Sequence, residues 1–193
     1  MSSSNLDQKI LEELVYFDLF SYPLTTLEVW QNITDKYSYT EVYKQLTSSP
    51  WLTTRVRFKQ GFWFLRGRED LFLERQKRYR ASKHKLDKAR RFARLAKFIP
   101  WVQEISACNS LGFLNAQEEN DIDFFIIARR GRIWSTRFFM IILAKCFGRP
   151  TSVHAKDGLC LSFFAVSGAN LKKVALGSDD VYFRHWIGEQ LPL

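Results

Sequence analysis

The chain has 193 residues, of which 46% are hydrophobic and 16% aromatic, with a net charge of +9. That length suits one large domain or two small ones, and the apolar content is ample for a core, so disorder is not expected beyond residues 1–5. No apolar run approaches the roughly 18 residues of a membrane span, and the N-terminus lacks the pattern of a signal peptide. Three scattered cysteines (Cys108, Cys146, Cys160) suggest neither a disulfide framework nor a zinc motif, which fits a reducing cytoplasm.

The charge is unevenly spread. Residues 1–54 carry −4, residues 55–97 carry +12 and residues 98–193 carry +1. A concentrated basic segment reads either as a polyphosphate or nucleic-acid surface or as a solvated helix face.

Asn5 or Asp7 can cap a first helix with apolar positions Ile10, Leu11, Leu14, Val15, Phe17 and Leu19, ending before Pro23. Thr25 or Thr26 caps a second, with Glu28 placed for a capping box and Leu27, Trp30 and Ile33 inward. Ser38 or Thr40 opens a third around Val42, Tyr43 and Leu46. Two β-rich runs follow, Trp51 to Phe58 and Phe62 to Leu65, separated by a three-residue loop, Lys59-Gln60-Gly61. Three short helices and then a hairpin resemble the winged helix-turn-helix modules, over residues 6–66. Such a module implies DNA binding, yet its first 54 residues are net negative and only the hairpin is basic. Arg55, Arg57 and Lys59 share a strand face there, as a phosphate-contacting ridge or as packing against the rest of the chain.

Residues 67–99 read as a basic linking helix without Pro or Gly from Arg68 to about Phe98. Phe72, Tyr79, Leu86 and Ala93 recur every seven residues with Ser82, Ala89 and Ala96 between them, forming a narrow seam. Arg75, Lys77, Arg78, Arg80, Lys83, Lys85, Lys88, Arg90, Arg91, Arg94 and Lys97 cover the other faces, opposed by Asp87. Arg90 and Arg91 are the candidates for nucleic-acid contact on this helix.

Residues 100–193 alternate strand and helix: a strand Val102 to Cys108, a turn and short helix within Leu111 to Ala116, a strand Asp121 to Ala128, and an amphipathic helix Ile133 to Phe147. A short strand Thr151 to Ala155, a turn at Lys156-Asp157-Gly158, a strand Leu159 to Val166 and a last helix Asp180 to Glu189, capped by Ser178 or Asp179, complete it. The order predicts an α/β (α+β) domain with a mixed sheet and flanking helices. His84, His154 and His185 are too dispersed for a triad or a metal cluster.

The chemistry concentrates at Ile105 to Ile127. Asp121 and Asp123 leave one face of their strand, and two like charges there call for a cation; hard oxygen ligands suit Mg²⁺. The following strand is apolar without alternation, as when both faces are covered.

Asn109-Ser110, followed ten residues on by Asn120-Asp121-Ile122-Asp123, resembles the nucleotidyltransferase superfamily related to DNA polymerase beta. Its signature is a Gly-Ser turn after the first strand and an Asp-x-Asp at the head of the second. The resemblance covers roughly residues 100–193 plus the preceding helix. It implies Mg²⁺-dependent transfer of a nucleoside monophosphate from a nucleoside triphosphate to an acceptor hydroxyl. Asp121 and Asp123 would be the catalytic metal ligands, and Asn109, Ser110 and Gly112 would hold the phosphates. Two departures stand out. Asn109 replaces the family's glycine, and the strand expected to bring a third carboxylate, Leu159 to Val166, has no acid; its one polar residue is Ser162, and Asp157 lies just before it. The alternative is therefore a catalytically degenerate protein of the same fold that binds nucleotide or nucleic acid. The stop at Leu191-Pro192-Leu193 straight after a helix suggests a longer parent chain.

Overall fold

The computed structural model describes residues 4–33, 37–147, 156–174 and 180–193. The chain divides into two compact units, Met1–Lys77 and Arg78–Leu193.

In the first unit, α1 (Asn5–Asp18), α2 (Thr26–Asn32) and α3 (Tyr39–Ser48) each open on a capping box, at Ser4/Asp7, Thr25/Glu28 and Ser38/Glu41. The first cap is Ser4, neither Asn5 nor Asp7: Asp7 is its partner, taking the Ser4 N–H at 3.0 Å while Ser4 Oγ accepts from Asp7 N at 3.1 Å. Each cap satisfies two donors that no helical carbonyl can reach, worth about 1 kcal/mol. Ile10, Leu14, Phe17, Val29, Val42 and Leu46 fill the core, whereas Leu27, expected inside, is exposed because the buried side of α2 runs through Val29 to Ile33.

The expected strand Trp51 to Phe58 forms only in part. Ser49 Oγ caps Leu52 N and Pro50 takes the first helical position, so α4 (Pro50–Thr53) precedes β1 (Val56–Lys59). At that position the missing Pro N–H has no helical partner to lose, and local capping overrides β propensity. Lys59 pairs directly with Phe62 of β2 (Phe62–Leu65), so the loop is two residues. Gln60 and Gly61 both have positive φ, as a type I′ turn requires.

The helix α5 (Leu71–Ala96) is shorter at both ends than expected. Its seam holds at Ser82, Leu86, Ala89, Ala93 and Ala96, but Tyr79 is half exposed while Lys85 and Phe92 are fully buried. A straight helix of 3.6 residues per turn drifts off a strict seven-residue repeat, which swings the 85/92 row inward.

In the second unit β3 (Val102–Ala107), β4 (Ile122–Ala128), β5 (Leu159–Val166) and β6 (Leu191–Pro192) form a mixed sheet in the order β5-β4-β3-β6. β3 lies antiparallel to both β4 and β6, and β4 runs parallel to β5. Between β3 and β4 stands the short α6 (Asn109–Gly112), and between β4 and β5 the longer α7 (Ile133–Cys146).

One sheet face, carrying Ile105, Ala107, Ile122, Phe124 and Ile126, packs on Phe92, Ala93, Met140 and Ala144 of α5 and α7. Phe92 sits 5.1 Å from the Phe124 ring and 5.8 Å from Phe147. The opposite face carries Phe125 and Phe163, against which Trp186 of α8 (Val181–Gly188) packs edge-on at 5.5 and 5.2 Å. Helices on both faces explain why β4 is apolar without alternation. β6 and a 3₁₀ turn at Leu171–Val174 were not foreseen. Asp180, not Ser178 or Asp179, caps α8 through Phe183 N at 2.9 Å. The expected strand Thr151 to Ala155, His154 and the residues Ser178 and Asp179 lie outside the described residues. No helix among the described residues is long and apolar enough to cross a membrane.

Candidate functional site

Asp121 and Asp123 stand at the head of β4, on the sheet face that Phe125 continues. Across the parallel pairing, Asp123 is in register with Cys160, whereas Phe125 is in register with Phe163. β5 therefore spends one more residue than β4 over this interval. The irregularity puts Cys160 and Phe163 on one face, although three residues apart in a regular strand they would point to opposite faces. As a result one ligand atom from each of Asp121, Asp123 and Cys160 lies within 4.8 Å of the others, and all three residues are part-buried.

The neighbour of the Asp-x-Asp that was expected to be a carboxylate is thus a thiol. Asp157, the acid nearest in sequence, belongs to a different network. Lys85 of α5, 1% exposed, donates to Asp157 Oδ1 at 2.8 Å, to Glu118 O at 2.9 Å and to Asn120 O at 2.6 Å. Lys88 donates to Asp157 Oδ2. Burial pushes the Asp157 carboxyl up, but the hydrogen bonds and charges of Lys85 and Lys88 outweigh it and hold it down to about 2. Lys85 and Lys88 were expected on the solvated faces of the basic helix. Instead Lys85 spends two donors on the carbonyls of Glu118 and Asn120, in the segment leading into Asp121, and the third on Asp157. The side chain of Ser162 lies outside the described residues.

The turn before the Asp-x-Asp meets the same segment. Asn109 has φ +54, the left-handed conformation for which asparagine is the best substitute after glycine. Its Oδ1 accepts from Trp186 Nε1 at 2.8 Å, so its side chain turns toward α8. Asn120 Nδ2 donates to Ser110 Oγ at 3.2 Å, leaving the Ser110 O–H to donate elsewhere. Asn115 N donates to Ser110 O at 2.7 Å, closing the turn. Gly112, expected among the phosphate-binding residues, stands close against the Glu189 carbonyl, with which an added Cβ would collide. The nearby Cys108 thiol is buried between the strands, and its pKa is pushed up by desolvation first, then by Asp123 and Cys160. It is held protonated and inert at neutral pH.

The remaining candidates are elsewhere. Arg55 stacks on Trp51 at 4.1 Å and donates to Trp51 O, Arg57 donates to Thr53 O and Val56 O, and Lys59 lies 5.0 Å over Phe72. This basic hairpin is bonded to its own unit. Arg90 and Arg91 are exposed on α5. Of the histidines, His185 is buried and His84 exposed.

Two residues of the site were not legible in the sequence, Cys160 and Lys85. The only signal for Cys160 is its pairing with Asp123; for Lys85 it is the buried row Ser82, Lys85/Leu86, Ala89, Phe92. No protein-family model, curated protein or solved structure matches this chain.

Proposed function

We propose that the second unit is a nucleotidyltransferase-like domain that transfers a nucleoside monophosphate from a nucleoside triphosphate to a hydroxyl, with a divalent metal ion. The observation that carries this reading is the convergence of Asp121, Asp123 and Cys160 beside the Asn109-Ser110 turn. Two carboxylate oxygens and an ionisable sulfur so close together fit a cation, which would offset the like-charge repulsion among them. Such an ion, when bound, supplies charge neutralisation at the phosphates. Asp121 and Asp123 would hold it, the Ser110 hydroxyl would donate to a phosphate oxygen, and the Lys85 network would keep residues 118–120 fixed beneath the ligands. Mg²⁺ is the ion implied by the family resemblance.

A second reading, binding without turnover, is favoured by one observation: a thiol occupies the place from which a third carboxylate is expected. The deciding experiment incubates the full chain with each labelled triphosphate and Mg²⁺ or Mn²⁺, beside an Asp121→Ala/Asp123→Ala double variant. Label transfer that the double variant abolishes supports catalysis. Calorimetric binding with no transfer to any acceptor supports the second reading, and metal-independent binding refutes the metal site.

The exposed basic residues of α5 supply a surface for a polyanionic acceptor, with Arg90 and Arg91 in the unit that holds the carboxylates. The first unit is read as winged-helix-like. Its α3 exposes Tyr39, Glu41, Tyr43 and Lys44, a mixed set that argues against α3 as a phosphate-contacting helix.

A further inference from the structure

The reading above needs a metal ion, and the donor set speaks to which one. Mg²⁺ demands near-octahedral oxygen ligation and keeps several of its waters, so a sulfur in its shell is a poor ligand. Zn²⁺ is borderline-soft, takes Cys sulfur and carboxylate oxygen together, and in catalytic sites keeps an open position beside three protein ligands. Asp121, Asp123 and Cys160 are three such donors, two oxygens and one sulfur, set within 4.8 Å of one another on two adjacent strands. The strand irregularity that turns Cys160 onto the carboxylate face makes sulfur part of the same set. Among the described residues no other acid joins this set. Asp157 is tied to Lys85 and Lys88, and Glu118 to Lys156 at 2.7 Å.

We infer that Asp121, Asp123 and Cys160 form a thiophilic divalent-metal site, taking Zn²⁺ in preference to Mg²⁺ with Cys160 as a direct ligand. This rests on the proposed metal-dependent reading of the same site, but it concerns the ion rather than the reaction. The site escapes any motif search because its ligands, at 121, 123 and 160, come from two strands separated by α7.

The test titrates Co²⁺, as a spectroscopic stand-in for Zn²⁺, into the full chain carrying Cys146→Ser, since Cys146 is an exposed second thiol. The expected result is a thiolate-to-cobalt charge-transfer band that Zn²⁺ abolishes and a hundredfold excess of Mg²⁺ does not. Cys160→Ser removes the band and weakens Zn²⁺ binding by about 100-fold or more, beyond the roughly 10–100-fold typical of a lost supporting contact. Circular dichroism of that variant shows that it is folded. Cys160→Asp turns the preference toward Mg²⁺. Co²⁺ binding without a thiolate band, or displacement by Mg²⁺ at parity with Zn²⁺, would overturn the inference while leaving metal-dependent transfer standing. If neither ion binds and label transfer also fails, both fall together.

Discussion

Replacing Lys85 by Met is the most demanding test of how the site is held. The Lys85 ammonium is 1% exposed and its three donors are spent on Asp157 Oδ1, Glu118 O and Asn120 O. A methionine fills nearly the same volume but leaves two backbone carbonyls and half of the Asp157 carboxylate without their donor. Breaking one side of a buried pair costs about 3–5 kcal/mol, a large share of a typical domain's stability. The same contacts also make stability depend on pH. The Asp157 pKa lies at about 2 in the folded chain against an ordinary value of 3.8. That gap corresponds to about 2 kcal/mol of differential stabilisation at most, since solvent screens part of the interaction. Because the folded value is the lower one, this contribution is fully present above about pH 4 and disappears as pH falls toward about 2. Hydrogen exchange read on peptides of β4 isolates this unit, and urea unfolding gives the whole chain. Lys85→Met should accelerate exchange across residues 118–128, and the stability gap between wild type and Asp157→Asn should close as pH falls from 5 to 2. A Lys85→Met loss below about 1 kcal/mol, or a gap that ignores pH, would refute the assignment of this network as structural support.

Three further outcomes follow from the same geometry. Gly112→Ala should destabilise by about 3 kcal/mol, the upper end for overpacking, because the obstacle is the Glu189 backbone rather than a movable side chain; thermal unfolding reads it. Asn109→Ala should lose about 1–2 kcal/mol through left-handed strain and the lost Trp186 bond, whereas Asn109→Gly should recover the backbone part, and equal losses for the two would be inconsistent with this account. Replacing Arg90 and Arg91 by Gln should flatten the salt dependence of RNA or DNA binding by about one slope unit per lost phosphate contact, as a titration over salt concentrations would show.

The sequence was most informative where local chemistry decides the outcome. The capping box at Thr25/Glu28, Ser38 as a helix opener, a helix without breakers and apolar runs bounded by turn residues all mark elements through near neighbours in sequence. Where two local signals compete, composition misleads. Trp51 to Phe58 has strand-like residues, but Ser49 and Pro50 start a helical turn first, and strand pairing begins only at Val56. β6 could not be foreseen, because a two-residue strand containing Pro192 has no pattern; it exists because β3 offers it an edge.

At the candidate site the division has a sharper cause. Asp121 and Asp123 are legible because alternation along one strand places both on one face, a relation carried by two residues of sequence. The third ligand depends on which residue of β5 stands beside Asp123, and cross-strand register is a property of pairing, not of either strand alone. A regular pairing outward from Phe125 and Phe163 would set Leu161 opposite Asp123, with no donor to offer. The extra residue in β5 replaces that leucine by Cys160. One irregularity in strand pairing thus places a thiol, rather than an apolar side chain, beside Asp123. On the proposed thiophilic site, the metal preference would be set by the register between β4 and β5, and a substitution that removed the irregularity would abolish thiolate ligation while leaving every proposed ligand in the sequence.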